Sequence, residues 1–144
     1  MMKKPFLSLS AVALSLFAAM AACAGAISVA GPWIPEAPPN AKALAAYMTI
    51  ANASSARVSL ATVSSPDFRL VEIHMTDMSH GMAHMMKQKN LPVEAGGSVD
   101  LRPGGFHLML MEPLRALRAG DEVRLRLSFD NGETLDVTAV VKNP

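Results

Sequence analysis

Glu122-Val123-Arg124-Leu125-Arg126-Leu127-Ser128-Phe129-Asp130-Asn131-Gly132-Glu133-Thr134-Leu135-Asp136-Val137-Thr138-Ala139-Val140-Val141 is the stretch whose reading decides the fold. Val123, Leu125 and Leu127 alternate with Glu122, Arg124 and Arg126, the two-residue period of a strand with one face in the core and one in water. Asp130-Asn131-Gly132 separates this run from a second strand over Thr134-Val141. Asn-Gly tolerates the positive φ of a tight turn, so the pair reads as a hairpin.

Working outward, the same grammar repeats. Short apolar runs predict strands near Ile27-Ala30, Ala45-Asn52, Val58-Val63, Phe68-Met75, Met82-Lys87, Ser98-Arg102 and Phe106-Met111. Between them lie turn signals such as Pro38-Pro39-Asn40, Ser64-Ser65-Pro66-Asp67, Gly96-Gly97 and Pro103-Gly104-Gly105. Many short strands at regular spacing imply an all-β sandwich or barrel. Helical evidence is confined to one turn over Leu114-Arg115-Ala116-Leu117-Arg118.

The first residues have a different character. Lys3 and Lys4 precede the run from Pro5 to Met20, apolar except for three serines, and Ala21 to Ala26 are small apart from Cys23. Basic, then apolar, then small is the order of a secretory leader, and the apolar part is short for a span of ~20 residues. Ala24-Gly25-Ala26 places cleavage after Ala26, which divides the chain into a signal peptide, 1–26, and one domain, 27–144. The chain should then be exported, to the periplasm. The alternative is a lipid anchor at Cys23, with Met20-Ala21-Ala22 as an imperfect lipobox.

Losing Lys3 and Lys4 from the 13 basic residues leaves 11 against 12 acidic ones. No basic field for nucleic acid remains. The single cysteine leaves with the leader, so the mature domain has neither disulfide nor thiol chemistry. No Gly-x-Ser-x-Gly elbow or supported nucleophile is visible, and an enzyme is not expected.

Chemistry concentrates in one region. All four histidines lie between residues 74 and 107, and five of the eight methionines beyond the leader lie between 75 and 86. Thioether sulfur is a soft donor that selects Cu(I), and imidazole suits copper as well as other transition metals. Zinc favours thiolates, imidazoles and carboxylates, and no thiolate is available. His74 ends one predicted strand and Met85 begins or sits within the next, with Gly81 between them for the turn. His107 and Met109 are two apart and share a strand face. Alternation in Leu70-Val71-Glu72-Ile73-His74 and in Phe106-His107-Leu108-Met109-Leu110-Met111 puts His74, His107 and Met109 on faces that are not core.

Here the sequence resembles the periplasmic copper(I) chaperones of the PCuAC type. Their motif is a His, ten residues, a Met, twenty-one residues, then His-x-Met. His74, Met85, His107 and Met109 match it without a gap. The Trp33 region, Ala46-Tyr47-Met48-Thr49-Ile50-Ala51-Asn52, Pro103-Gly104-Gly105 and the Gly120-Asp121 turn extend the likeness over nearly the whole mature chain. The resemblance implies a cupredoxin-like, or immunoglobulin-like, β-sandwich. It implies an exposed Cu(I) site of two Met and two His in a carrier that hands copper to a partner for cytochrome c oxidase assembly. The recipient would be an oxidase subunit or one of its assembly factors, and the carrier itself a monomer. Some members bear a Met/His-rich tail; in this chain the extra donors sit in the loop after His74.

Other residues have plainer readings. Met48 and Met111 are core filler, and Trp33 is a core or edge anchor. Met75 and Met86 point to the face opposite the candidate ligands, where packing is expected. His80 and His84 are solvated loop residues or auxiliary ligands. Glu72 and Asp77 are candidates for orienting imidazole N–H groups. Arg115, Arg118, Arg124 and Arg126 read as solvated surface. The rivals are a copper scavenger or store that never donates, a copper-dependent redox enzyme, and an interaction module in which the Met/His loop touches protein.

Overall fold

The computed structural model describes residues 22–144. The expected leader therefore lies, except for its last five residues, outside the described residues. Eleven strands follow one another: β1 Ala22–Ala24, β2 Ile27–Pro35, β3 Ala43–Asn52, β4 Val58–Ser64, β5 Phe68–Asp77, β6 His84–Gln88, β7 Leu91–Val93, β8 Ser98–Leu101, β9 Phe106–Pro113, β10 Glu122–Phe129 and β11 Thr134–Lys142. Among the described residues there is no helix.

The hairpin read from Asn131-Gly132 is present. β10 and β11 pair from Glu122↔Val140 to Ser128↔Thr134. Gly132 takes φ 87° at the turn, and Phe129 N donates to Glu133 O at 2.9 Å. Every second residue of β10 is buried, Val123, Leu125, Leu127 and Phe129, as alternation requires. Arg126 lies across from Asp136 and binds its carboxylate through two nitrogens, at 2.8 and 3.1 Å. It is thus paired across the strands while still on the solvent face.

Two sheets share β3. Its first residues, Ala43 to Ala46, pair with β9, and Met48 to Ala51 pair with β8. The sheet order runs β6-β5-β9-β3-β2-β11-β10-β4-β7. β2 is broken between Ala30 and Trp33, where Gly31 takes φ 59°. Past the break, Trp33, Ile34 and Pro35 run parallel to Val140, Val141 and Lys142 of β11. One parallel pair, in an assembly otherwise antiparallel among the described residues, closes the cupredoxin-like sandwich. Its core includes Ile34, Ile50, Leu60, Leu108, Leu110, Leu125 and Leu127, each at most 1% exposed.

All nine expected strands form, with shifted ends. β6 starts at His84 and not Met82. β7 was not expected, because Pro92 cannot donate to a ladder. It is an edge strand three residues long, and Leu91 and Val93 anchor it from the inner face. The helical turn over Leu114-Arg118 does not form. Arg115 reaches Asp67 Oδ1 at 2.8 Å and Glu122 O at 2.6 Å, while Leu117 dips into the core. These two anchors hold the segment open.

One buried polar side chain ties three segments. Asn52 Nδ2 donates to Ala56 O (2.8 Å) and Val93 O (3.1 Å). Its Oδ1 accepts from Ser54 N (3.0 Å) and Ser54 Oγ (2.7 Å). Removing it leaves the buried Val93 carbonyl without this donor, which costs about 1–3 kcal/mol. Truncating a fully buried leucine costs about 2–5 kcal/mol. Asn52→Ala and Leu127→Ala should each lower the urea midpoint with the slope unchanged, Leu127→Ala by more.

Candidate metal centre

Strand pairing assembles the candidate site. β5 lies between β6 and β9. His74 is directly opposite His107 of β9, and Glu72 opposite Met109. On its other edge, His74 is opposite Lys87 of β6 and Thr76 opposite Met85. Side chains alternate along a strand, so His74, His107, Met109, Met85, Glu72 and Lys87 all stand on one face. The two imidazoles are neighbours, with ring centroids 5.9 Å apart and planes inclined at 49°. Met109 is diagonal to His74 on one side and Met85 on the other, within reach of a long thioether.

Each imidazole has one nitrogen occupied and one free. His74 Nε2 is 2.8 Å from Glu72 Oε2, and a carboxylate can only accept, so this nitrogen carries the proton. His107 Nδ1 is 3.1 Å from Gly105 O, and a carbonyl likewise only accepts. The remaining nitrogens, His74 Nδ1 and His107 Nε2, are buried and have no hydrogen-bond partner. In the neutral rings both are bare lone pairs. Burying two such acceptors is unfavourable unless something binds them. Among the described residues no group of three or more His, Cys, Asp or Glu could hold an ion. The other soft donors on this face are the thioethers of Met109 and Met85.

Glu72 serves both flanking strands. Its second oxygen takes Lys87 Nζ at 2.9 Å. Hydrogen bonds from His74 and then Lys87 hold the Glu72 carboxyl below its ordinary 4.5. The expectation for Glu72 is therefore met, and that for Asp77 is not. Asp77 Oδ1 accepts from Ser79 N at 2.8 Å, and the contacts with Ser79 lower its pKa. It caps the loop rather than orienting a ring.

The expectation that His107 lies on a non-core face holds for the side it takes but not for its exposure. Its face is the outer one, but His107 is only 3% exposed. The β3–β9 register, Ala45↔Met109 and Ala46↔Leu108, puts Tyr47 on His107's face at the next step. Tyr47 pairs with Trp33 at a ring separation of 5.4 Å, and burial raises its phenol pKa. Alternation reports which side of a sheet a residue takes, not how well that side is covered. Met85 is the opposite case, 58% exposed on the edge strand. His80 lies in the exposed loop, and His84 is on the reverse face, opposite Asp77. Sequence reading missed Lys87, Tyr47 and the Gly105 carbonyl. Lys87 was detectable in principle, since residues pairing across this hairpin have a constant index sum.

A sandwich with two imidazoles and two thioethers on one outer face defines the class. The chain belongs to the LpqE-like family, whose description reads "Putative lipoprotein LpqE-like" and whose match spans residues 27–141. Its structure is similar to the copper-bound PCuAC domain from PmoF2, with TM-score 0.74 and 22% identity over 87% of this chain and 100% of that one. It is also similar to CuI-DR1885 from Deinococcus radiodurans, with TM-score 0.65 and 33% identity over 87% of this chain and 82% of that one. Protein RP573 of Rickettsia prowazekii is 34% identical over 101 residues, 69% of this chain; the chain spans 55% of that relative's length. The expected PCuAC type and cupredoxin-like fold therefore stand.

The Glu72 contacts set a pH dependence. A carboxyl with a lowered folded pKa contributes its full stability above the ordinary value and loses it as pH falls through the folded one. The opening free energy of the β5–β6 amides, from hydrogen exchange, should decline as pH drops below about 4.5. In Glu72→Gln that decline should shrink.

Proposed function

We propose that the chain is a carrier of Cu(I), held by His74 Nδ1, His107 Nε2, Met109 and Met85 and passed to a copper-accepting protein by ligand exchange. The observation that carries this reading is the pair of buried, unpartnered imidazole nitrogens beside two thioethers. Soft sulfur selects the monovalent ion. The copper named in two solved relatives supports the same metal. Copper is cargo here, and nothing in the site calls for catalysis. Three donors stand on inner strands, and the fourth, Met85, is exposed on the edge. An incoming donor can displace Met85 while the imidazoles keep the ion, which suits transfer better than permanent storage.

The recipient follows from the resemblance: a subunit of cytochrome c oxidase or one of its assembly factors, met by a monomeric carrier. A periplasmic copper scavenger is the second reading, favoured by the exposed loop donors Met78, Met82 and His80. Loading the chain and mixing it with a copper-free acceptor separates the two, since a store retains its metal.

Copper K-edge absorption on the loaded protein should report two sulfur and two nitrogen neighbours at the proposed centre. Met85→Leu should weaken binding there and His107→Ala abolish it. Glu72→Ala, which frees the His74 ring, should weaken it about 10–100-fold. Imidazoles ligate only when unprotonated, so affinity should fall between about pH 7.5 and about pH 5. A flat profile would refute imidazole ligation.

We also propose that residues 1–26 are a leader and 27–144 the exported domain, placed in the periplasm. The family match beginning at residue 27 supports this division. The lipoprotein description supports the alternative of processing at Cys23. β1 adds to β2 through Ala22↔Val29 and Ala24↔Ile27, so cleavage after Ala26 removes a short strand and nothing of the site. The intact mass of the exported chain should correspond to an N-terminus at Ile27; a diacylglycerol-modified Cys23 would overturn this.

A further inference from the structure

The hairpin that supplies His74 and Met85 has a second chemically active face. On β5, Met75 and Asp77 alternate with His74 and Thr76. On β6, His84 and Met86 alternate with Met85 and Lys87. The register sets Met75 opposite Met86 and Asp77 opposite His84. Four side chains thus form a two-by-two patch on the reverse of the hairpin. Directly opposed Cβ atoms in such a ladder are about 4.5–5.5 Å apart and diagonal neighbours about 7–8 Å, spans that a thioether and an imidazole close easily.

Packing accounts for only part of this patch, since Met75 stands opposite Phe106 of β9, which lies against the core. Earlier on the same face of β5, Val71 and Ile73 are buried in the core, at 8% and 4% exposure. Beyond Ile73 the hairpin leaves that core. Met75 is half-buried, Met86 is 46% exposed and His84 is exposed. Met75 borders an open cavity of about 480 Å³, whose wall includes Phe106, Asp100 and Arg102. The expectation that Met75 and Met86 are packing residues is therefore not met by Met86, and Met75 meets it only in part. Two thioethers side by side next to an imidazole and in contact with solvent are a soft-donor set.

We propose that Met75, His84 and Met86 form a second site for a soft monovalent cation, Cu(I), on the reverse face of the hairpin. Asp77 faces the same side with a carboxylate already held by Ser79, and it balances the ion's charge rather than ligating it. The absence of thiolate, and the single carboxylate, exclude a good zinc or calcium shell. The site shares its metal with the carrier reading but none of its ligands. The β5–β6 backbone stands between the two, so each should fill without the other.

Cu(I) titration of the exported chain against a chromogenic Cu(I) chelator tests this, with 13C-labelled methionine methyls as a second readout. Leucine matches methionine in volume, so Met75→Leu/Met86→Leu should fold normally. The wild type should bind two ions per chain, and that double variant one. A Met85→Leu/His107→Ala chain should keep one ion, with the Met75 and Met86 methyl resonances shifting as it binds. A wild type that saturates at one ion while those two resonances stay fixed would overturn the proposal. Saturation at one ion that Met75→Leu/Met86→Leu abolishes and Met85→Leu/His107→Ala spares would instead support the reverse site and sink the front one.

Discussion

The register that sets His74 opposite His107 governs this end of the molecule. It places two rings 5.9 Å apart, orders Glu72 beside Met109, and, through β6, brings Met85 and Lys87 to the same face. A slip of one residue would turn β5 over and send its half of the constellation to the other side of the sheet. The core prevents the slip. Val71 and Ile73 alternate with Glu72 and His74 and are buried between the layers, so shifting the ligands would drag two aliphatic side chains into water. Packing in the interior thus specifies chemistry on the exterior.

Electrostatics refines what register places. Glu72 accepts from the His74 ring and from Lys87; this fixes which nitrogen of His74 keeps its proton. His107 reaches the same condition with a backbone acceptor, Gly105 O, supplied by the turn before β9. The result is asymmetric, Nδ1 free on one ring and Nε2 on the other. The turn before β9 is part of the site for this reason, although it carries no metal donor of its own.

Much of this was legible in the chain. Strands such as β10 and β11 announce themselves because their outer residues are charged and their inner ones aliphatic. The candidate donors were legible through chemistry, since soft ligands crowd a short stretch without cysteine. What sequence could not supply was coverage. His107 looks like an outer residue by parity, and it is one, but the Trp33–Tyr47 pair on β2 and β3 lies far away in the chain. Pairing was less open: Lys87 meets Glu72 through the β5–β6 register, which sequence yields only once the hairpin's alignment is known. Leu114-Arg118 misled because its propensity is helical while its long-range ties, Arg115 to Asp67 and Leu117 to the core, are not. Pro92 hid β7 because a proline is tolerated at a sheet margin where a central strand would reject it.

β6 closes one margin of the sheet order, with β5 as its only ladder partner among the described residues, and four of its five residues are exposed. Segments with so little buried area detach locally at a small fraction of the free energy needed to unfold a domain. Met85 and both β6 donors of the reverse face ride on this strand. On the proposed reading, fraying of a few residues would loosen both copper sites together, while the interior around Leu108 and Leu110 stayed intact. Holding and letting go would then fall to different parts of one sheet, so that release need not disturb the core.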